Sequence, residues 1–253
     1  MNSERTELNR RIQEYLRVTI QRSDDHLRIG PFLAGFDPGS DNLYRNYAVP
    51  DEGARPSAAD IEALNAAFAT RSRRPRLEYI AETAPEVEAM LLASGFEIEK
   101  RYPILVCAAD ILRAAESAGI EVTLAQNDDD IVAAAEVGAE AYDDKLYPDP
   151  LRRLVAQGGA LAIARDPANG IVVGAGMATP SHEGVSEIAG IGVRLRYRRR
   201  GIAGAVTACV TREAFARGMD LAWLTPGHDD AERIYARAGF ARASEQLHIS
   251  RPK

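Results

Sequence analysis

The chain has 253 residues, 46% hydrophobic and 27% charged, with a formal net charge of −6. That balance marks an ordinary globular protein, neither disordered nor membrane-spanning, and its length predicts one large domain or two modest ones. The acidic total argues against general nucleic-acid affinity, which needs a basic face to exchange for counterions.

An amphipathic helix is expected over roughly Glu4 to Arg22, then strand-like runs at Leu27 to Phe36 and Leu43 to Val49. Turn formers from Pro50 to Pro56 separate off a helix that starts near Ser57 and stops before Arg71. Leu77 to Ile80, a helix from Pro85 to Ala93, a Gly95-Phe96 corner and a strand through Cys107 complete a first domain, residues 1 to 108. Ala108 to Gly119 is alanine-rich and reads as a short helical connector. The second domain, residues 119 to 253, opens with a strand (Val122 to Ala125) and helices from Asp129 to Ala141 and Pro150 to Gln157. Strands Ala160 to Ala164 and Ile171 to Thr179 flank Pro167-Ala168-Asn169-Gly170, a hairpin signal. This order predicts an α/β fold with a mixed, mostly antiparallel sheet flanked by helices.

No apolar run approaches the roughly 18 residues of a spanning helix, and Met1-Asn2-Ser3-Glu4-Arg5 lacks the apolar core of a signal peptide. No membrane association and a cytoplasmic location are therefore expected. Cys107 and Cys209 stand in apolar surroundings without metal-like spacing, and the four histidines are scattered, so no metal is expected.

The densest chemistry lies between an apolar strand run, Val185 to Val193, and a helix from Gly201 to Arg217. Arg194, Arg196, Arg198, Arg199 and Arg200 crowd the turn between them. The first N–H groups of a helix have no intrahelical partner and lie at the positive end of its dipole, so an anion is well held there. Gly201, Ala203 and Gly204 let a ligand approach the backbone. Aromatic partners for nucleic-acid stacking are thin, with Tyr197 alone in the run. About forty residues on, Ala231, Tyr235, Gly239 and Phe240 form an A-x-x-x-Y-x-x-x-G-F pattern after the strand-like Leu221 to Leu224.

At these residues the chain resembles the GNAT superfamily of N-acetyltransferases, whose signature is a strand, a [Q/R]-x-x-G-x-[G/A] turn opening a helix, and a later helix bearing a tyrosine before a G-F corner. The resemblance covers roughly residues 120 to 250. Glu86 to Phe96 echoes Asp230 to Phe240, so two tandem GNAT-like domains are expected. The N-terminal copy lacks the R-x-x-G-x-A turn and reads as degenerate, with a structural or substrate-shaping role.

The resemblance implies acetyl-CoA as cosubstrate, its pyrophosphate on Arg198, Arg199, Arg200, Gly201, Ile202, Ala203, Gly204 and Ala205. Backbone groups of Ile191, Gly192 and Val193 would serve the pantetheine arm and the thioester oxygen. Gly190 and Gly192 are read as alternating on one face, leaving room for a ligand. A lysine-like amine is neutral in only about one part in a thousand at pH 7, roughly 4 kcal/mol, which a general base recovers in part. Glu187, eleven residues before Arg198, is the candidate base, with an ordinary surface glutamate as the other reading. Tyr235 is the candidate acid for the departing thiolate, or else a helix residue packing on the sheet. His228 stands where the family often has asparagine, seven residues before the tyrosine. Tyr142 to Tyr147 would lie near the acceptor groove.

The activity expected is acetyl transfer to a primary amine, on a small molecule or a peptide, by direct attack in a ternary complex; a homodimer is allowed. The alternative is a CoA-responsive binding or regulatory protein without turnover, and a purely structural protein is disfavoured.

Overall fold

The computed structural model describes residues 2–252; the expected domain limits at residues 1 and 253 lie outside them. Two compact units emerge, one of residues 2–104 with 243–252, the other Leu105–Arg242. The last strand therefore belongs to the first unit, where the sequence reading had placed it in the second. Among the described residues no helix is long and apolar enough to cross a membrane.

The first unit comprises α1 (Asn2–Gln21), β1 (Asp25–Ile29), β2 (Phe32–Phe36), β3 (Tyr47–Pro50), α2 (Ala58–Thr70), β4 (Arg76–Tyr79), α3 (Pro85–Ala93), most of β5 (Glu97–Cys107) and most of β11 (Ala241–Ser250). Its strands lie in the order β1-β2-β3-β4-β11-β5. The run from Leu27 to Phe36 is a hairpin that turns at Gly30, φ +51°. Leu43–Arg45 is a 3-10 turn rather than strand, because the Asn42 side chain accepts from the Tyr44 N–H and Asn46 Nδ2 donates to the carbonyls of Ser40 and Asn42. Such local bonds compete with a strand ladder.

Parallel β3 and β4 meet at the pair Ala48 and Leu77. Beyond it, buried Gln13 of α1 spans the gap, donating from Nε2 to the Pro50 carbonyl (2.9 Å) and accepting from the Ile80 N–H (3.0 Å). A side-chain amide thus satisfies backbone groups that an opened ladder would leave bare.

A charged network is buried in the same unit. Arg76, fully shielded from solvent, donates to Glu78, to Glu99 Oε2 at 2.9 Å and to His248 Nδ1 at 2.7 Å. Since a guanidinium only donates, Nδ1 must accept, so the imidazole is neutral. Burial, then the charges of Arg76 and Lys100, lower the His248 pKa to about 3.

The second unit contains β6 (Glu121–Leu124), α4 (Asp128–Tyr142), α5 (Pro148–Ala156), β7 (Ala160–Arg165), β8 (Val172–Ala178), β9 (Val185–Val193), α6 (Ile202–Ala216), β10 (Leu221–Leu224) and α7 (Asp229–Arg237). Here the order is β5-β10-β9-β8-β7-β6, antiparallel except for the β9/β10 pair. The β7/β8 hairpin forms as expected, with Gly170 alone of its Asn-Gly pair at positive φ (+74°). One core gathers Val206 and Val210 of α6 with Val173, Ile188, Leu224 and Phe240; another gathers Ala134 and Val137 of α4 with Leu161, Ile163 and Ala175. Two glycines of β8 bring α6 down onto the sheet: a Cβ on Gly174 would stand 2.7 Å from Ile202, and one on Gly176 2.7 Å from Val206.

The connector is not the expected helix. Its backbone is engaged elsewhere, with the Arg113 N–H donating to the Ala238 carbonyl at 3.0 Å. The Ile111 carbonyl passes so close to Gly239 that a Cβ there would lie 2.3 Å away, and Gly239 also has φ +105°. The glycine of the G-F corner is thus required twice, by conformation and by space.

The neutral His248 gives a pH test. Its native pKa of about 3 lies below the ordinary value near 6.5, so the unfolded chain takes up a proton that the native protein refuses. This contribution is complete above pH 6.5 and declines toward pH 3, by up to about 1.4 kcal/mol per pH unit. His248→Gln, which cannot titrate, is expected to lose less stability than the parent between pH 6.5 and 5 in denaturant unfolding; parallel curves would contradict the assignment.

Candidate active site

The pairing of β9 with β10 runs from Val185 opposite Leu221 to Glu187 opposite Trp223 and ends there. Past that point the strands part for identifiable reasons. β10 runs into Thr225-Pro226, and proline has no N–H to extend a ladder. β9 stays with β8 through Val193, but its register shifts around Gly190, which adopts φ +62°. This is a β-bulge, which bends a strand and reverses the facing of the residues beyond it.

Gly190 and Gly192 do turn toward one face, that of α4, but side chains already fill the space there and leave no room for a ligand, which corrects the expectation. Gly192 is buried under α4, where a Cβ would meet that of Ala141 at 3.0 Å; Gly190 makes the bulge itself, its Cβ position 2.9 Å from Met177 Cε. Both glycines serve backbone geometry and helix packing. Ile191 and Val193 turn their side chains to the α6 core.

Glu187 is the last β9 residue paired before the strands part, and it is half-buried. Since its neighbour Ile188 enters the α6 core, strand alternation points Glu187 to the other face, that of α4 and α5. Thr179 fixes its backbone: the threonine N–H and Oγ1 donate to the Glu187 carbonyl at 2.9 and 3.0 Å, and Oγ1 accepts from the Glu187 N–H at 3.0 Å. Tyr235 lies on the α6 side, half-buried and edge-on to Phe240 with ring centroids 6.4 Å apart. Burial, then the nearby Tyr142 phenol, raise its pKa well above the ordinary 10, so its proton is retained at any physiological pH.

The basic turn follows. Arg194 is taken up by Glu136 (3.1 Å) and Glu140 (2.7 Å) of α4. Arg198 donates from Nε to the Val193 carbonyl at 3.1 Å, tying the turn to the strand end. Arg199 at φ +63° and Gly201 at φ +82° both sit in the left-handed region, and Arg198, Arg199, Arg200 and Gly201 are exposed. Gly201 is the N-cap of α6, which has neither a capping side chain nor an acid in its first turn. Ile202, Gly204 and Ala205 are buried and Ala203 is half-buried, so the helix start is small and firmly packed. Ser117 of the connector donates to the Arg200 carbonyl at 2.7 Å, a brace the sequence did not announce.

The first unit treats the same places in the opposite way. The N-terminus of α2 is closed by a capping box of Ser57 and Asp60, so a carboxylate of the chain already occupies it. Leu91 holds the place of Tyr235, four residues before the corner glycine in each unit: the Phe96 N–H donates to the Leu91 carbonyl as the Phe240 N–H does to Tyr235, both at 3.1 Å. Its strand gap is bridged by Gln13. The first unit thus has a filled helix start, a bridged strand gap and no tyrosine before its corner glycine.

The comparisons with known proteins agree with this division. Residues 130–240, which lie within the second unit, match the family described as Acetyltransferase (GNAT) family. No curated protein matches the chain. Among solved structures it is similar to a GCN5-related N-acetyltransferase from Kribbella flavida, with 28% identity, TM-score 0.82, and 97% of this chain and 96% of that one covered. A GCN5-related N-acetyltransferase from Sphaerobacter thermophilus follows with 17% identity, TM-score 0.64 and coverage of 88% and 78%. A tandem GNAT protein from the clavulanic acid biosynthesis pathway has 13% identity, TM-score 0.58 and coverage of 80% and 76%. The fold is that of two tandem GNAT-like domains, the N-terminal one degenerate.

His228 finds a role as the N-cap of α7, its Nδ1 accepting from the Ala231 N–H at 3.2 Å. Asparagine is a common helix cap for the same reason, a side-chain acceptor aimed at the first turn. His228→Asn should leave thermal stability nearly unchanged, whereas His228→Ala should cost about 1 kcal/mol. Equal melting temperatures for the alanine variant and the parent would exclude the cap.

Proposed function

We propose that the second unit transfers an acetyl group from acetyl-CoA to a primary amine by direct attack within a ternary complex. The observation that carries this reading is the pairing of an uncapped α6 N-terminus with a strand gap that starts at Glu187.

The residues fit the cosubstrate. Arg198, Arg199, Arg200 and the N–H groups at the start of α6 would hold its pyrophosphate through charge-assisted bonds, each contributing about 1.5–3 kcal/mol. Ile191, Gly192 and Val193 lie on the edge of β9 past the last β10 pair, where an extended amide-bearing arm can take up backbone groups. When bound, acetyl-CoA supplies an acyl group already activated as a thioester.

Glu187 would accept the proton that an ammonium must shed before it can attack, and its place at the parting of the strands supports that role. Tyr235 carries the complementary proton, held on the phenol by burial. The cysteines are poor nucleophiles: burial pushes the Cys107 thiol up to about 11 and raises that of Cys209. A thiolate is the reactive form, so direct attack is favoured over a cysteine acyl-enzyme. The acceptor would enter on the α4/α5 side, toward which Glu187 points.

Calorimetric titration with acetyl-CoA tests the cosubstrate site. Gly201→Glu brings a negative charge to the α6 N-terminus and strains a left-handed residue; affinity should fall about 10- to 100-fold, and unchanged affinity would remove the pyrophosphate assignment. In an amine screen, Tyr235→Phe is expected to lower kcat by about 10²- to 10⁴-fold with cosubstrate affinity little changed. Because the Tyr235 pKa is raised, no alkaline loss of rate belonging to this residue should occur below pH 10. Equal rates for mutant and parent would exclude the acid role, whereas no turnover by the parent with any amine would favour a binding protein without turnover.

A further inference from the structure

Tyr142 is the last residue of α4 and lies outside the arginine-glycine turn and the tyrosine-helix motif. The residue is 57% exposed, yet its hydroxyl donates to the Ile191 carbonyl at 2.9 Å. Asp143, next in the chain, adopts φ +50° and ends the helix there, which fixes where the ring projects from. Ile191 lies just past the bulge and past the last β10 pair, on the edge of β9 where the proposed cosubstrate arm would run. Two electrostatic relations add to this: the phenol contributes to the rise of the Tyr235 pKa that burial causes, and burial raises its own pKa while the Arg198 guanidinium opposes that rise. Tyr142 therefore lies near both the candidate acid and the basic turn.

We propose that Tyr142 is a displaceable stopper of the cosubstrate groove: its hydroxyl holds the Ile191 carbonyl until an amide N–H of an extended pantetheine arm takes that acceptor and the exposed ring swings aside. This rests on the reading of the groove given above. The exchange is physically balanced, because the strand carbonyl trades one neutral hydrogen bond for another and is never left bare. More than half of the residue's surface is already exposed, so opening has that much less contact to break. The cost of opening falls on ligands that carry the arm; a ligand that engages only the basic turn does not meet the gate.

Two ligands separate these cases. Coenzyme A spans turn and groove, whereas adenosine 3′,5′-bisphosphate has the nucleotide phosphates and no pantetheine arm. Tyr142→Phe keeps the ring and removes the hydroxyl, so it should bind coenzyme A about two- to tenfold more tightly than the parent, the net worth of one hydrogen bond, while its affinity for the bisphosphate stays the same. Equal or weaker coenzyme A binding by the variant would overturn the gate, and so would a matching change for both ligands, which would place the effect outside the groove. Failure of the parent to bind either ligand would remove the cosubstrate reading itself, and the gate with it. Equal melting temperatures for parent and variant establish that the comparison is between intact proteins.

Discussion

Two parallel strands that start together and then part are what the site depends on. Three register pairs hold β9 to β10, ending at Glu187 and Trp223, and different forces then pull the strands different ways. Pro226 denies β10 an extension, while β8 and the α4 contact at Gly192 keep β9 where it is. The bulge at Gly190 lets β9 remain in its antiparallel ladder and still re-aim its outer residues. Without that bulge Ile191 and Val193 would face α4, and the α6 core would lose two apolar side chains that now pack against it.

The second constraint is a helix start left open. Most helices close their first turn with a side chain of their own, and α2 does so with Ser57 and Asp60. At α6 the cap is a glycine, no acid stands in the first turn, and the preceding turn holds an arginine in the left-handed region. Backbone strain of this kind costs on the order of 1–3 kcal/mol and persists only where the surroundings enforce it. Here the Ser117 bond to Arg200, the Arg198 bond to Val193 and the packing of Ile202 on Gly174 do so. An uncapped positive end is tolerable on its own because it is exposed to water, and it is useful when a phosphate replaces that water.

The two units show how small changes in one topology can fill a strand gap and a helix start or leave them open. In the first, a buried glutamine bridges the strand gap, a capping box fills the helix start, and leucine replaces tyrosine before the G-F corner. The first two changes satisfy backbone groups from within the chain, and the third removes a phenol. The unit keeps the fold because the fold is held by its apolar faces and by the Arg76 network.

The sequence by itself determined most helices, the β7/β8 hairpin, the basic turn and the tyrosine helix, because each rests on local signals: apolar period, a capping serine, an Asn-Gly turn, a cluster of arginines beside glycine. It also exposed the degeneracy of the first unit through the missing turn. It misjudged the connector, whose alanines favour a helix until Ala238 and the corner at Gly239 claim its backbone, and it misread Gly190 and Gly192, whose roles depend on a bulge and on a helix more than forty residues away. It put Tyr142 in an acceptor loop without any hint that its hydroxyl reaches Ile191. Those features are contacts between segments distant in the chain, and only tertiary structure decides which backbone groups are left for a ligand and which are taken by the protein.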